Sequence, residues 1–255
     1  MSVQRRIEQA IAGGERAAVL TVIGGDVTAA ETRVGAKLFV LEGGGEVLGD
    51  GPRSLVALAD GLIRREQNHV FEHEGLQVFV EVVAPPPRLV VFGAVDTAEA
   101  MCAMAKLLGW RTVVADARAK FATPERLPSA DEIVIAWPEE AIVQIAPDHQ
   151  TAVVVLTHDE KFDLPAILGA LRTDAFYIGA LGSRKNQEQR RVRLLEAGVA
   201  EEQLARISGP CGLDIGAHSQ PETALSILAE ALARRAGRDG GRLEAARGRI
   251  HAGAE

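Results

Sequence analysis

Five short runs of apolar residues in the second half of this chain limit what it can fold into. They fall at residues 88–92, 112–115, 133–136, 152–156 and 175–178. Each is apolar almost throughout instead of alternating, the pattern of a strand covered on both faces. Helix-like stretches separate them, at about 97–108, 138–146, 163–172 and 184–197. Strands that alternate with helices predict a parallel sheet with right-handed crossovers. The expected fold class is therefore α/β, a doubly wound Rossmann-like sheet over residues 88–236.

The last helix of that domain is predicted to start near Ser219. Ser219-Gln220-Pro221-Glu222 has the form of a capping box, with Pro in the first turn where its missing N–H costs nothing. Leu225, Leu228 and Leu232 then follow at helical spacing. Residues 237–255 are rich in Gly and Arg and are expected to form a disordered tail. At the other end, Pro85-Pro86-Pro87 forbids helix and favours a stiff connector. Residues 1–84 carry mixed signals: helical spacing over 2–12 and 55–65, short apolar runs at 17–23 and 37–41, and a hairpin pattern around Gly75. They predict a smaller N-terminal α+β domain.

Composition narrows the function. The formal charge is −7, from 28 basic against 35 acidic residues, which argues against a phosphate-backbone surface and so against a nucleic-acid partner. Aromatics make up only 4% of the chain, which argues against a base-stacking surface. Cys102 and Cys211 stand far apart with no ligand spacing around them, so no metal site is expected and both read as reduced thiols. No apolar run approaches the ~18–20 residues needed to span a bilayer, and MSVQRRIEQA lacks a signal-peptide core. The expectation is a cytoplasmic protein with no membrane partner.

Candidate binding residues sit where strands run into loops, because ligands of doubly wound sheets collect at the carboxyl ends of strands. The first such loop is Gly93-Ala94-Val95-Asp96-Thr97-Ala98. Gly93 and Ala98 fit the first and third positions of a dinucleotide fingerprint, and Asp116 lies 23 residues beyond Gly93, where a ribose-binding acid belongs. The middle glycine is replaced by Val95, and Asp96 adds negative charge at a helix start that a phosphate would need. Asp96-Thr97-Ala98-Glu99 also resembles a self-capping arrangement. NAD(P) is thus possible here but disfavoured, and Asp116 is equally open to pairing with Arg118. Thr157-His158-Asp159 has the same placement after the fourth run, and His158 is open to ligand binding or simple exposure.

Two further loops are more distinctive. In Gly179-Ala180-Leu181-Gly182-Ser183-Arg184-Lys185, Gly182 permits close approach, and Ser183 and Arg184 offer a hydroxyl and a fork for phosphate or carboxylate; the alternative is a capped turn with solvated cations. Ser208-Gly209-Pro210-Cys211-Gly212-Leu213-Asp214-Ile215-Gly216 specifies an unusual backbone path. There Gly212 and Gly216 shape the turn, Asp214 is either a ligand or a partner of loop amides, and Cys211 reads first as a small buried side chain.

With these residues in view, the chain resembles the XdhC/CoxI family of xanthine dehydrogenase accessory proteins. The resemblance rests on LVVFGA, Asp116-x-Arg118, VVVLTHDEKFDLPAIL, AFYIGALGSRK and, above all, GPCGLDIGAHSQPETALSILAE, and covers about residues 88–235. It implies a chaperone that binds the molybdenum cofactor (molybdopterin) and assists its sulfuration and insertion. The implied partners are a molybdenum hydroxylase apo-enzyme, a cysteine desulfurase and a second copy in a homodimer. The implied site is a crevice between the two domains, with Gly93, Asp116, His158, Asp159, Gly182, Ser183, Arg184, Cys211, Gly212, Asp214 and Gly216 on its wall; no catalytic residue is assigned. The chain departs from the family pattern in its N-terminal part. The family's GSSPRPPGA-like segment corresponds to residues 28–36, where the Ser-Ser-Pro-Arg core is gone. Its GGGC-like turn corresponds to Gly49-Asp50-Gly51-Pro52-Arg53-Ser54, which has no cysteine. Two rival readings follow: an NAD(P)-dependent oxidoreductase, and a non-catalytic regulatory or interaction protein.

Overall fold

The computed structural model describes residues 1–27, 32–157 and 159–247. The chain forms two compact units, the first built on Met1–Pro85 and the second on Pro86–Ala245.

The first unit opens with α1 (Val3–Gly13), capped by the Ser2 hydroxyl, which accepts from the Arg5 amide. It continues through β1 (Ala17–Gly25), β2 (Lys37–Leu41), β3 (Val47–Gly49), α2 (Val56–Arg65), β4 (His69–His73) and β5 (Leu76–Val83). The strands pair antiparallel in the order β3-β2-β1-β5-β4. Alternate side chains of β1 point to opposite faces: Ala18, Leu20 and Val22 pack with Ala59, Leu62 and Ile63 of α2, whereas Ala17 and Val19 pack with Ala10 of α1. β3 gives no clear signal in the sequence, because its three residues are only half-buried.

The second unit runs β6 (Arg88–Phe92), α3 (Asp96–Leu107), β7 (Arg111–Ala115), β8 (Glu132–Val134), α4 (Pro138–Ile145), β9 (Thr151–Val155), α5 (Glu160–Leu171), β10 (Tyr177–Ala180), α6 (Arg184–Glu196), α7 (Glu201–Leu204), β11 (Ile207–Ser208) and α8 (Gln220–Arg235). All six strands are parallel, in the order β11-β10-β9-β6-β7-β8. Counted one to six along the chain, this is 3-2-1-4-5-6 read from the other edge, the order of dinucleotide-binding folds, with its switch point between β6 and β9. Leu89 and Val91 face a core shared with α3 and α8, whereas Val90 and Phe92 face one shared with α4 and α5. Both faces of β6 are therefore dry, which is why its run is apolar throughout.

Three expectations shift. The fifth strand runs over Tyr177–Ala180 rather than 175–178, and a sixth, two-residue strand follows it at Ile207. The apolar face of α8 is also displaced. Leu228 is buried, but Leu225 and Leu232 are exposed, and the face against α3 is made of Ala224, Ile227 and Ala231. Small residues let the two helices approach closely, so counting leucines selects the wrong stripe. Beyond α8 the Arg238 amide bonds the Ala233 carbonyl at 2.8 Å and Gly240 lies against Leu213. That part of the expected tail folds back on the domain; its end, residues 248–255, lies outside the described residues. No helix among the described residues is long and apolar enough to cross a membrane.

Candidate functional site

Because the six strands are parallel, the loops that follow them all emerge at one edge of the sheet. At the switch point the chain turns sharply after β6. Gly93 has φ +113°, and a Cβ there would sit 2.8 Å from Thr157 Cγ2, so the first glycine is required by packing against the loop after β9. Val95 occupies the cap position of α3 and offers no side-chain hydrogen bond. Asp96 and Glu99 do not close the helix on itself, contrary to the self-capping expected of Asp96-Thr97-Ala98-Glu99. Asp96 pairs with Arg126 at 3.4 Å, and Glu99 accepts from the Ser129 amide at 3.1 Å. The amino end of α3 thus has no side-chain cap, and the two acids of its first turn offset its positive dipole.

Asp116 is buried and fully engaged. Its two oxygens accept from Arg118 Nε at 2.9 Å and Nη2 at 2.8 Å, from the Arg118 amide at 2.9 Å and from the Ala94 amide at 2.9 Å. Burial opposes ionisation of this carboxyl, but the Arg118 fork and the two amides outweigh it and hold Asp116 below the usual carboxylate range. Pairing with Arg118, one of the two roles left open for Asp116, is formed. The same bonds tie the loop after β7 to the loop after β6.

An open depression of about 650 Å³ lies at this switch point, lined by Val95, Arg118, Leu156, Thr157, Asp159 and Lys161 among others. Asp159 caps α5, accepting from the Lys161 amide at 3.1 Å, and Glu160 pairs with Arg193 at 2.6 Å. His158 lies outside the described residues. Beneath the depression is a buried polar network. The Thr157 hydroxyl donates to Asp163, whose other oxygen accepts from Arg190 Nη2 at 2.9 Å. Arg190 also donates to the Leu181 carbonyl at 3.1 Å and to Gln187, and Gln187 donates to the Ala180 carbonyl at 3.0 Å. Asp163, Gln187 and Arg190 are not singled out by the sequence reasoning above. The available signal is the spacing of Gln187, Arg190 and Leu194, which places an arginine on the inner stripe of an otherwise basic helix.

After β10, Gly182 adopts φ +135° and Ser183 caps α6, its hydroxyl accepting from the Asn186 amide at 3.3 Å. Arg184 and Lys185 follow, both exposed. Arg184 borders a second depression of about 560 Å³, shared with Gln187, Ile207, Gly209 and Pro210. The loop beyond is fixed from behind. The Cys211 amide donates to the Ala180 carbonyl at 3.2 Å, and the Gly212 amide to Glu230 Oε2 at 2.6 Å, where Tyr177 Oη also donates at 2.6 Å. Gly212, at φ +106°, lies too close to Ser226 for any side chain. Burial pushes the Cys211 thiol up to about 12. Asp214 and Gly216 lie at the exposed tip. The predicted residues therefore share one edge but not one depression: Gly93, Asp116 and Asp159 gather at the switch point, Gly182, Ser183 and Arg184 stand at the start of α6, and Cys211, Gly212, Asp214 and Gly216 line neither hollow.

In the first unit, the turn that replaces the GGGC-like segment is closed internally. The amides of Asp50 and Gly51 both donate to the Lys37 carbonyl at 2.9 Å, and Asp50 accepts from the Lys37 amide at 3.0 Å and pairs with Arg33. Residues 28–31, which begin the other departing segment, lie outside the described residues.

Residues 89–231, more than half of the chain, match the XdhC Rossmann domain. The chain is 34% identical over 160 residues to the uncharacterized protein YqeB of Escherichia coli, a match covering 62% of this chain and 29% of that protein. It is 31% identical over 153 residues to a probable xanthine dehydrogenase subunit of Bacillus subtilis, covering 60% and 44%. Over 146 residues it is 31% identical to the molybdenum cofactor insertion chaperone PaoD of Escherichia coli, covering 57% and 39%. The matched regions span less than half the length of these curated relatives. A crystal structure of a xanthine dehydrogenase from Bacillus halodurans shares the fold with a TM-score of 0.68 at 23% identity, over 91% of this chain and 66% of that one.

Proposed function

The chain belongs to the XdhC family, and on that premise we propose that it is a chaperone for the molybdenum cofactor. The cofactor is its cargo, and a molybdenum hydroxylase apo-enzyme is the recipient. Insertion, with sulfuration through a cysteine desulfurase, is the step it serves, in the cytoplasm and as a homodimer. The cargo carries a phosphate on a pterin, and the carboxyl edge of the six-stranded sheet has the donors for it. Arg184 and Lys185 stand exposed beside the Ser183 hydroxyl.

One observation carries the choice of cargo over a dinucleotide. Asp116, the acid at the ribose position, is already held by Arg118 and two amides. A ribose hydroxyl would have to displace a bidentate ion pair whose carboxylate is buried. The chain's own residues bind and orient in this reading; Cys211, with its raised thiol, is assigned no covalent step.

The test is retention of molybdenum cofactor through anaerobic purification. Wild-type protein is expected to co-elute with it, and Arg184→Ala and Lys185→Ala each to lose about tenfold in retention with an unchanged circular dichroism spectrum. Unchanged retention in both removes the proposed site. Calorimetric titration with NAD and NADP is the companion measurement, and micromolar affinity for either would favour the oxidoreductase reading. Failure to retain cofactor together with tight binding to an apo-hydroxylase would favour a pure interaction protein.

A further inference from the structure

The chain has only ten aromatic side chains, seven Phe, two Trp and one Tyr. Two of them flank Arg118, which lines the switch-point depression, and a third stacks on one of these. Trp137, at the end of the loop after β8, stacks on Phe162 in the first turn of α5 with ring centroids 5.0 Å apart and planes 21° apart. The guanidinium carbon of Arg118 lies 5.2 Å from the centroid of Phe162 and 4.7 Å from that of Phe121. Asp116 clamps Arg118 in that position, so the layer is set by the same ion pair that engages the Asp116 carboxylate.

Trp137 is nevertheless 50% exposed, and Ile135 beside it is 56% exposed. A large ring left half in water, stacked on a ring that meets a lining residue of the hollow, marks a contact surface. Of the carboxylates nearby, Asp116 pairs with Arg118, Glu160 pairs with Arg193 and Asp159 caps α5, whereas Glu139 and Glu140 in the first turn of α4 are exposed. Lys161, which lines the hollow, has an exposed side chain. A stacking face beside a cation suits a planar nitrogen heterocycle that carries a tethered anion. Composition argues against a base-stacking surface, but a low aromatic total says nothing of where the few rings are placed.

We propose that Trp137 is the platform on which the pterin ring of the cargo stacks, with Lys161 facing its anion. The choice of a pterin over a nucleobase rests on the chaperone reading above; the platform itself rests on the ring geometry. Trp110 is buried, so Trp137 is the tryptophan whose emission an added ring can quench directly.

The experiment titrates full-length wild type, Trp137→Phe and Trp137→Leu with pterin-6-carboxylate, AMP and CMP, following tryptophan emission where present and equilibrium dialysis throughout. Leucine keeps apolar contact with Phe162 but has no π face, which guards against a variant that simply unfolds. The expected result is that pterin-6-carboxylate quenches the wild type and binds wild type and Trp137→Phe at least about tenfold more tightly than Trp137→Leu. Equal binding to Trp137→Leu, tighter binding of AMP or CMP than of the pterin, or no binding to wild type overturns the assignment. The chaperone reading fails separately, in the cofactor-retention measurement: a wild type that retains cofactor while Trp137→Leu binds pterin normally loses the platform and keeps the function.

Discussion

The loop after β6 and the loop after β11 are both glycine-shaped and both leave the carboxyl edge of the same sheet, yet they are held in different ways. At the switch point, charge is paired: buried Asp116 with half-buried Arg118, and Asp163 with Arg190, both buried, beneath Thr157. In the loop after β11, the backbone is anchored to α8 through Glu230 and Ser226, and the acid at the tip, Asp214, is exposed. Gly93 and Gly212 look alike in sequence and serve the same end, close packing of chain on chain, against Thr157 in one case and Ser226 in the other. Glycine in a strand-end loop is therefore no evidence of ligand approach by itself. The difference that bears on function is which polar groups remain uncommitted.

The largest effect that can break this contrast comes from the buried network. Arg190→Ala leaves Asp163 buried without its partner and is expected to cost about 3–5 kcal/mol in chemical denaturation, with part of the loss recovered in the Asp163→Asn, Arg190→Ala double variant. A single variant as stable as wild type would mean that the switch-point end is not held by charge. Next come the two glycines. Gly93→Ala and Gly212→Ala each force a side chain into a positive-φ, crowded position, and each is expected to cost about 1–3 kcal/mol by the same measurement. If only one did, the two loops would differ in rigidity as well as in charge.

A smaller effect appears on acidification. The folded state holds Asp116 below its ordinary pKa, so its contribution is present above the unfolded value of about 3.9 and is lost as pH falls through the lower folded value. Asp116→Asn is expected to lower stability at pH 7 by about 1–2 kcal/mol and to flatten the acid limb of the stability curve. An unchanged acid limb would show that the Arg118 pair does not form in solution. The smallest effect belongs to the other loop: Asp214→Ala should change stability by less than about 0.5 kcal/mol, because its carboxylate is exposed. A larger loss would show that the tip is structural.

The parallel sheet is legible in the sequence because both of its faces are covered. β6 and β9 are apolar at every position from 89–92 and 152–155, with no alternation to suggest a solvent face. β11 escapes notice because two residues carry no period, and the buried face of α8 is misplaced because alanines, not leucines, make much of the contact. The site is legible in part. Asp116 and Arg118 are two residues apart, so their pairing is visible as a local option. Asp163 and Arg190 are 27 residues apart on different helices, and only the fold brings them together. Trp137 and Phe162 meet in the same way, from the segments that follow β8 and β9.

Hydrogen–deuterium exchange of the full chain with and without bound molybdenum cofactor tests most directly where the cargo lies. Slowed exchange should concentrate in peptides covering 93–98, 135–138, 156–161, 182–187 and 209–216, the strand-end turns of the parallel sheet. Protection confined to residues 17–83, or to the amino ends of the parallel strands, would contradict the placement.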